Sequence, residues 1–294
     1  VFLSYTGEGG LAFLKEQSGR RYIKKAFSRY LSPTLVEQLA ADQSRLNLGG
    51  ETRYMTIMFC DIRGFTRLSE SFIDNSEGLI HIMNRFFSLM TPVVMKHGGT
   101  VDKFIGDCIM AFWNAPIKDP NHASHACAAA LEMLGEIQKL NEELQEHQLD
   151  IGIGLNTGWC IVGNIGSDQR FDYAVLGDPV NLASRLEGQS KNYGTRIVIG
   201  KETAEAAADF SILELDLITV KGKSEAKHIF ALLGKSKLEN TESFKKHAIR
   251  HQQMIDSFRQ KKWTSAKSAL SDCRSFAPDL FRLYDIYSHR IAEY

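Results

Sequence analysis

Two aspartates stand where phosphoryl chemistry is to be expected. The run Thr56-Ile57-Met58-Phe59-Cys60-Asp61-Ile62-Arg63-Gly64-Phe65-Thr66 reads as a short apolar strand that ends in an acid and then turns sharply. Gly64 permits a close backbone approach, and such a turn lines up N–H groups as an anion-binding nest. A carboxylate beside a phosphate-sized nest suits a divalent metal that bridges acid and phosphate. A second acid, Asp107, lies in Thr100-Val101-Asp102-Lys103-Phe104-Ile105-Gly106-Asp107-Cys108-Ile109-Met110-Ala111-Phe112. Here two apolar runs flank Gly106-Asp107 as two strands flank a tight turn. If these strands are neighbours, Asp61 and Asp107 converge at one end of a sheet. Two carboxylates that close can hold two metal ions for phosphoryl transfer.

A third stretch, Pro179-Val180-Asn181-Leu182-Ala183-Ser184-Arg185-Leu186-Glu187, has helical spacing. Asn181 and Arg185 are one turn apart and point together. Asparagine offers both a donor and an acceptor, and arginine offers a fixed fork suited to phosphate. An exposed Asn beside a surface ion pair has the same spacing and contributes little.

The elements that position these residues come from a chain of 294 residues, enough for one large domain with appendages or for two domains. Apolar content of 44% and charged content of 24% are those of an ordinary globular protein. The formal net charge of zero argues against a general nucleic-acid binder. The five cysteines (Cys60, Cys108, Cys127, Cys160 and Cys273) have no framework spacing, which favours free thiols in a reducing compartment. No unbroken apolar run approaches the length of a membrane span, and no signal peptide is visible. The first residue is Val1 rather than Met, as expected of a piece of a longer protein.

In order, residues 1–15 read as a loose lead-in and Glu16 to Tyr30 as a basic helix, either a solvated linker or a dimerising, signal-carrying element. Ser32-Pro33 starts a short helix to about Ala41, and Gly49-Gly50 marks a boundary. Asn75 to Lys96 is a helix with Leu79, Ile82, Met83, Phe86, Phe87 and Met90 on one face. Asn121 to His147 is a second long helix; His122 and His125 near its start are expected on the surface. Strands are expected over Asp150 to Val162 (with Gly158 as a bend), Phe171 to Leu176, Arg196 to Ile199, Ile212 to Val220 and His228 to Leu233. Short helices fall between them. This irregular alternation with two hairpins implies an α+β fold, a mixed sheet with flanking helices. After Gly234 the composition changes, and from 239 to 294 the pattern is all-helical: Phe244 to Lys262, Thr264 to Phe276 and Asp279 to Ala292, expected to form a helical cap packed on the domain.

The runs Phe59 to Thr66, His97-Gly98-Gly99 through Asp107, and Gly177-Asp178-Pro179 through Glu187, in this order and spacing, resemble the class III nucleotidyl cyclase family, with a ferredoxin-like palm domain over about residues 51–233. Phe27-Ser28-Arg29-Tyr30-Leu31-Ser32-Pro33 is similar to the lead-in of bacterial receptor cyclases, in which a membrane sensor precedes the catalytic domain. The resemblance implies a division into a linker or signalling helix (1–50), a catalytic domain (51–233) and a helical extension (234–294). It implies a cytoplasmic catalytic portion, a sensor absent from this chain, and a parent protein in the cell membrane.

Position by position, the resemblance implies that Asp61 and Asp107 bind two divalent cations, Mg²⁺ or Mn²⁺, with the backbone carbonyl of Ile62 as a further ligand. Phe65 and Thr66 belong to the substrate-binding turn. Lys103 matches the residue that reads adenine, where guanylyl cyclases carry Glu. Asn181 matches the asparagine that positions the ribose, and Arg185 the arginine that stabilises the α-phosphate in the transition state. Lys221 matches a lysine on the β- and γ-phosphates. The implied reaction is conversion of ATP to cyclic AMP and pyrophosphate in a head-to-tail homodimer, each site drawing its metal pair from one subunit and Lys103, Asn181 and Arg185 from the other. One position departs: where the family usually has Asp, Thr or Ser as a second adenine reader, this chain has Ala174, which lacks a side-chain acceptor. A guanylyl or mixed-specificity cyclase and a catalytically silent nucleotide-binding module stand as alternatives. A diguanylate cyclase or polymerase-like palm would lack the Asn181–Arg185 motif.

Overall fold

The alternation of side chains along β1 (Gly49–Ile62) divides the core in two. Met58, Cys60 and Ile62 face one apolar cluster, while Met55 and Ile57 face another with Phe112, Cys160 and Ala183. The protein is described by a computed structural model covering residues 49–145, 147–167, 170–207, 209–219, 226–235 and 241–294. The helices expected before residue 42, and Lys221, lie outside the described residues.

After β1 come α1 (Phe65–Ser71), α2 (Ser76–Lys96), β2 (Thr100–Ile105), β3 (Cys108–Trp113), α3 (His122–Leu144), β4 (Ile151–Ser167) and β5 (Arg170–Leu176). Then follow α4 (Asp178–Tyr193), β6 (Ile197–Gly200), α5 (Lys201–Ala206), β7 (Phe210–Thr219) and β8 (Ala226–Lys235). Helices α6 (Glu242–Arg259), α7 (Trp263–Phe276) and α8 (Phe281–Ala292) close the chain. The strands form a mixed sheet in the order β2-β3-β1-β4-β6-β8-β7, with β5 paired to β4. β4 and β6 run parallel, whereas β1–β3, β2–β3, β6–β8 and β7–β8 are antiparallel. This is the α+β architecture that the sequence pattern implied.

The described residues fall into two compact units. Glu51–Val162 with Tyr173–Tyr294 form the larger. The smaller pairs the start of β1 with the outer end of the β4–β5 hairpin, where Gly163 lies so close to Gly49 that a side chain would meet its carbonyl at 2.1 Å.

Within the larger unit, α2 and α3 cover one sheet face. Asn75 caps α2 by accepting a hydrogen bond from the Gly78 N–H at 3.0 Å. The helix buries Ile82, Phe86, Met90, Val93 and Val94, one stripe at helical spacing. At 21 residues α2 is also long and apolar enough on average to cross a membrane, although charges interrupt it; here that stripe belongs to the protein core. The alanine-rich start of α3 buries Ala123, Ala126, Ala129 and Ala130.

The three C-terminal helices pack on β7 and β8: Met254, Ile255, Leu270, Leu283 and Tyr287 share a cluster with Leu213, Leu215 and Ile229. Asp216 fastens the seam, accepting hydrogen bonds from Tyr193 at 2.5 Å and from Arg290 at 2.7 Å. The Tyr287 hydroxyl donates to the Leu215 carbonyl at 2.9 Å.

Two expectations are corrected. His122 is buried rather than on the surface, because Thr56 lies 2.7 Å from its Nδ1 and continues a polar chain to Thr157 and Thr203; His125 is exposed as expected. Gly158 is not a bend, since β4 runs on through it. Its missing side chain makes room for Pro179, whose Cγ would lie 2.6 Å from a β-carbon there.

Candidate active site

The register of β1 against β3 pairs Cys60 with Ile109, so Asp61 at the end of β1 comes beside the turn that carries Asp107. Gly106 in that turn has φ +64°, which an L side chain adopts only under strain. The two carboxyl groups hydrogen-bond to each other. Partial burial raises the Asp61 pKa to about 7, helped by that hydrogen bond and by the charges of Asp107 and Glu187. The Ile62 backbone N–H works in the opposite direction, while the Ile62 side chain is buried in the core. Two carboxylates that must share a proton form a site with an excess of negative charge. A divalent cation would replace the shared proton, so the donor set fits one.

A third carboxyl group approaches from α4. Burial raises the Glu187 pKa, Arg63 opposes the rise, and the Asp107 charge adds to it. Helix α4 can lie this near β4 because Gly152 and Gly154 share one face of the strand. A side chain at 154 would meet the Ala183 carbonyl and the Glu187 N–H at 2.2 Å, and one at 152 would meet Glu187 Oε1 at 2.6 Å.

Arg63 anchors the turn after Asp61. Its guanidinium donates to Asp150 at 3.0 Å, to Ser190 at 3.1 Å and to the Thr195 carbonyl at 2.6 Å, while its own N–H donates to the Asp150 carbonyl at 2.8 Å. The neighbouring thiols are inert: burial, together with Asp61 and Glu187, pushes Cys108 up to about 12, and burial raises Cys60 as well.

The other expected residues are placed differently. Gly64 has φ +73° and starts α1, where Phe65 packs half-buried against the core and Thr66 is exposed. Lys103 is exposed on β2, next to a bulge, 3.6 Å from Asp102. Ala174 is half-buried on β5 between half-buried Tyr173 and buried Val175. Asn181 and Arg185 are exposed on α4, and neither side chain makes a hydrogen bond or ion pair among the described residues. Trp159, Ile161 and Leu176 are 66%, 51% and 53% exposed.

The structure thus gathers Asp61, Asp107 and Glu187 and leaves Asn181 and Arg185 on the outside of the same helix. Glu187 and Arg63 carried no assignment in the sequence reading, although both lie within the quoted motifs. The signal that finds them is the Gly152–Gly154 pair, a strand face with no side chains and therefore a helix pressed onto it.

A mixed sheet with one carboxylate at the end of β1, a second in the β2–β3 turn and helices flanking it has the topology of a palm domain. Residues 50–234 match the family described as the adenylate and guanylate cyclase catalytic domain, and the chain belongs to that family. It is 36% identical over 191 residues to Adenylate cyclase 1 of Rhizobium meliloti strain 1021, a match covering 64% of this chain and 28% of that protein. The adenylyl cyclase CyaB from P. aeruginosa superposes with a TM-score of 0.60 at 36% identity, over 64% of this chain and 97% of that one. The guanylyl cyclase Cya2 superposes with a TM-score of 0.59, also at 36% identity, over 66% and 98%. The chain spans less than half the length of the curated relatives it matches.

Proposed function

We propose that this chain is the catalytic part of an adenylyl cyclase, converting ATP to 3′,5′-cyclic AMP and pyrophosphate. The observation that carries the reading is the hydrogen-bonded Asp61–Asp107 pair, an anionic site that a divalent cation would neutralise. Two such cations, Mg²⁺ or Mn²⁺, held by Asp61, Asp107 and the Ile62 carbonyl, would activate the ribose 3′-OH and balance the triphosphate charge. The residues of the chain do the rest by positioning and charge. Asn181 holds the ribose, and the Arg185 fork meets the charge that develops on the α-phosphate. The start of α1, at Phe65 and Thr66, and Lys221 bind the phosphates. Attack is intramolecular, so alignment accounts for much of the rate.

The site is read as shared between two copies. On α4, Arg185 and Glu187 are two residues apart and so point about 200° away from each other. Glu187 faces the carboxylate pair, so Arg185 of the same chain faces away from it. A head-to-tail homodimer brings the Arg185 of one copy to the aspartates of the other. The exposed Trp159, Ile161 and Leu176 give that contact an apolar surface.

Residues 51–233 are assigned as the catalytic domain, 1–50 as the linker to a membrane sensor, and 234–294 as a helical extension, with the catalytic portion on the cytoplasmic side. The second reading, a guanylyl or mixed-specificity cyclase, is favoured by one feature: Ala174 offers no side-chain acceptor to the base. Lys103 favours adenine. The test is incubation of the purified chain with ATP or GTP and Mg²⁺ or Mn²⁺, followed by separation of the cyclic products. Cyclic AMP in excess supports the reading. Cyclic GMP at equal yield moves it to mixed specificity, and no cyclic product from a folded dimer overturns it.

A further inference from the structure

Away from the carboxylate site, the C-terminal helices enclose a polar kernel that the proposed reaction does not use. His247 and His251 lie one turn apart on α6, Cys273 comes from α7, and all three are buried. The ligand atoms of these three side chains lie within 4.8 Å of one another. The Tyr284 hydroxyl from α8 sits among them, 2.5 Å from His247 Nε2 and 3.1 Å from His251 Nδ1, and hydrogen-bonded to Cys273. Four polar groups from three helices therefore meet at one point inside an otherwise apolar cluster.

The tautomer of His251 follows from its surroundings. Its Nε2 lies 2.5 Å from the Glu214 carbonyl on β7, which only accepts, so Nε2 carries the proton and donates it. Nδ1 then turns its lone pair inward. A carbonyl that fixes the outer nitrogen of an imidazole is the support that metal-bound histidines have. Purely structural packing of these helices would be served as well by apolar side chains of similar volume, without the cost of desolvating four polar groups.

We propose that His247, His251 and Cys273, with the Tyr284 oxygen as fourth donor, bind one Zn²⁺ that ties α6, α7 and α8 together. Two imidazoles, a thiolate and an oxygen form a donor set that zinc accepts in tetrahedral geometry. On binding, the thiol and phenol protons leave to solvent and bonds form from zinc to sulfur, oxygen and both nitrogens. Two anionic ligands then cancel the ion's charge, so the buried centre is neutral. Bonds of about 2.0–2.3 Å place donor atoms about 3.3–3.8 Å apart, so His247, His251 and Cys273 draw together by up to about an ångström while the Tyr284 oxygen moves outward from the two imidazoles. Through His251 and the Glu214 carbonyl, the centre also braces the helices against β7.

The experiment uses the full chain, stripped with chelator, reloaded with Zn²⁺ or Co²⁺, and freed of loose metal by gel filtration. Asp61→Ala is included to remove the other cation site. The expected result is one zinc retained per chain in the wild type and in Asp61→Ala, and less than a tenth of that in Cys273→Ala and His251→Gln. The cobalt form should show a thiolate-to-metal charge-transfer band that Cys273→Ala lacks and Asp61→Ala keeps. Circular dichroism establishes that each variant is folded; Cys273→Ser stands in for Cys273→Ala, and Asp107→Ala for Asp61→Ala, where the first choice is not. Three results overturn the proposal: no retained zinc and no thiolate band in the wild type, undiminished zinc in folded Cys273→Ala, or loss of both signals in Asp61→Ala.

Discussion

The two faces of α4 have been built to opposite ends. The inner face is settled within the chain: Ala183 and Leu186 are buried, Ser190 accepts from Arg63, and Glu187 fits against the glycine track of β4. The outer face carries the two residues with the strongest claim to handle a nucleotide, yet Asn181 and Arg185 have no partner among the described residues. Interior packing fixes the helix, so the outer pair is held in place by groups it never touches. In the proposed dimer, the anionic site on one side of the chain is completed by the Arg185 fork of a second copy.

The sharpest way to break this comparison is to disable one face at a time. Asp61→Ala should lower turnover by at least about 10³-fold, as loss of a metal-holding carboxylate does. Arg185→Ala should cost about 10²–10³-fold in kcat with little change in KM, because the fork acts on charge present only in the transition state. Mixing the two inactive variants at equal concentration should then restore about a quarter of wild-type activity, since half of the dimers are mixed and each mixed dimer holds one intact site. No recovery after subunit exchange would place both faces of a working site in one chain.

Much of this was legible beforehand. The strand ending at Asp61, the Gly106-Asp107 turn and the α4 motif were each found from local pattern, and the β1–β3 pairing brought the two acids together as a conditional argument required. What could not be read was depth. His122 follows an exposed-looking run, but Thr56 on a distant strand draws it inward, a contact that no local periodicity encodes. The polar kernel at His247, His251 and Cys273 was hidden for the same reason: Tyr284, which brings them together, is on a third helix. Gly158 misled because a glycine in a strand marks either a bend or a close neighbour, and only Pro179 decides between them.

The inner face is tested through Glu187. If its carboxylate adds to the field at the two aspartates, Glu187→Gln should weaken divalent-cation binding about 10-fold and leave kcat at saturating metal nearly unchanged. Isothermal titration and activity against metal concentration both read this, and an unaltered metal affinity would reduce Glu187 to a packing residue.

The pH dependence of the metal-free protein tests the same excess of negative charge. The folded-state pKa of Asp61 is raised from 3.8 to about 7, so the folded state holds the proton more tightly than the unfolded chain. The stabilisation is complete below the unfolded pKa and disappears as pH rises through about 7. Asp61→Asn should therefore stabilise the metal-free protein at pH 8 by about 1–2 kcal/mol, a figure discounted because the group is half exposed to screening solvent. The gain should vanish below pH 4, and saturating Mg²⁺ should reverse it at pH 8 by stabilising the wild type alone. Equal melting temperatures at pH 8 without metal would show that the two carboxylates do not strain each other.

The smallest effect belongs to Ala174, where nothing has to be removed. In the proposed reading, the half-buried methyl on β5 gives the base no side-chain partner, and Lys103 is left to read it. Restoring an acceptor with Ala174→Asp adds one hydrogen bond from the adenine amino group at this half-buried position, worth about 1 kcal/mol, so the ratio of kcat/KM for ATP over GTP should rise about five-fold. The gain should appear for ATP alone, because the guanine edge presents a carbonyl where adenine presents its amino group. Equal gains for both nucleotides would mean that the larger side chain had only tightened the pocket. Loss of selectivity in a further Lys103→Ala variant, with the aspartate in place, would separate the two readers and show how much of the discrimination each supplies.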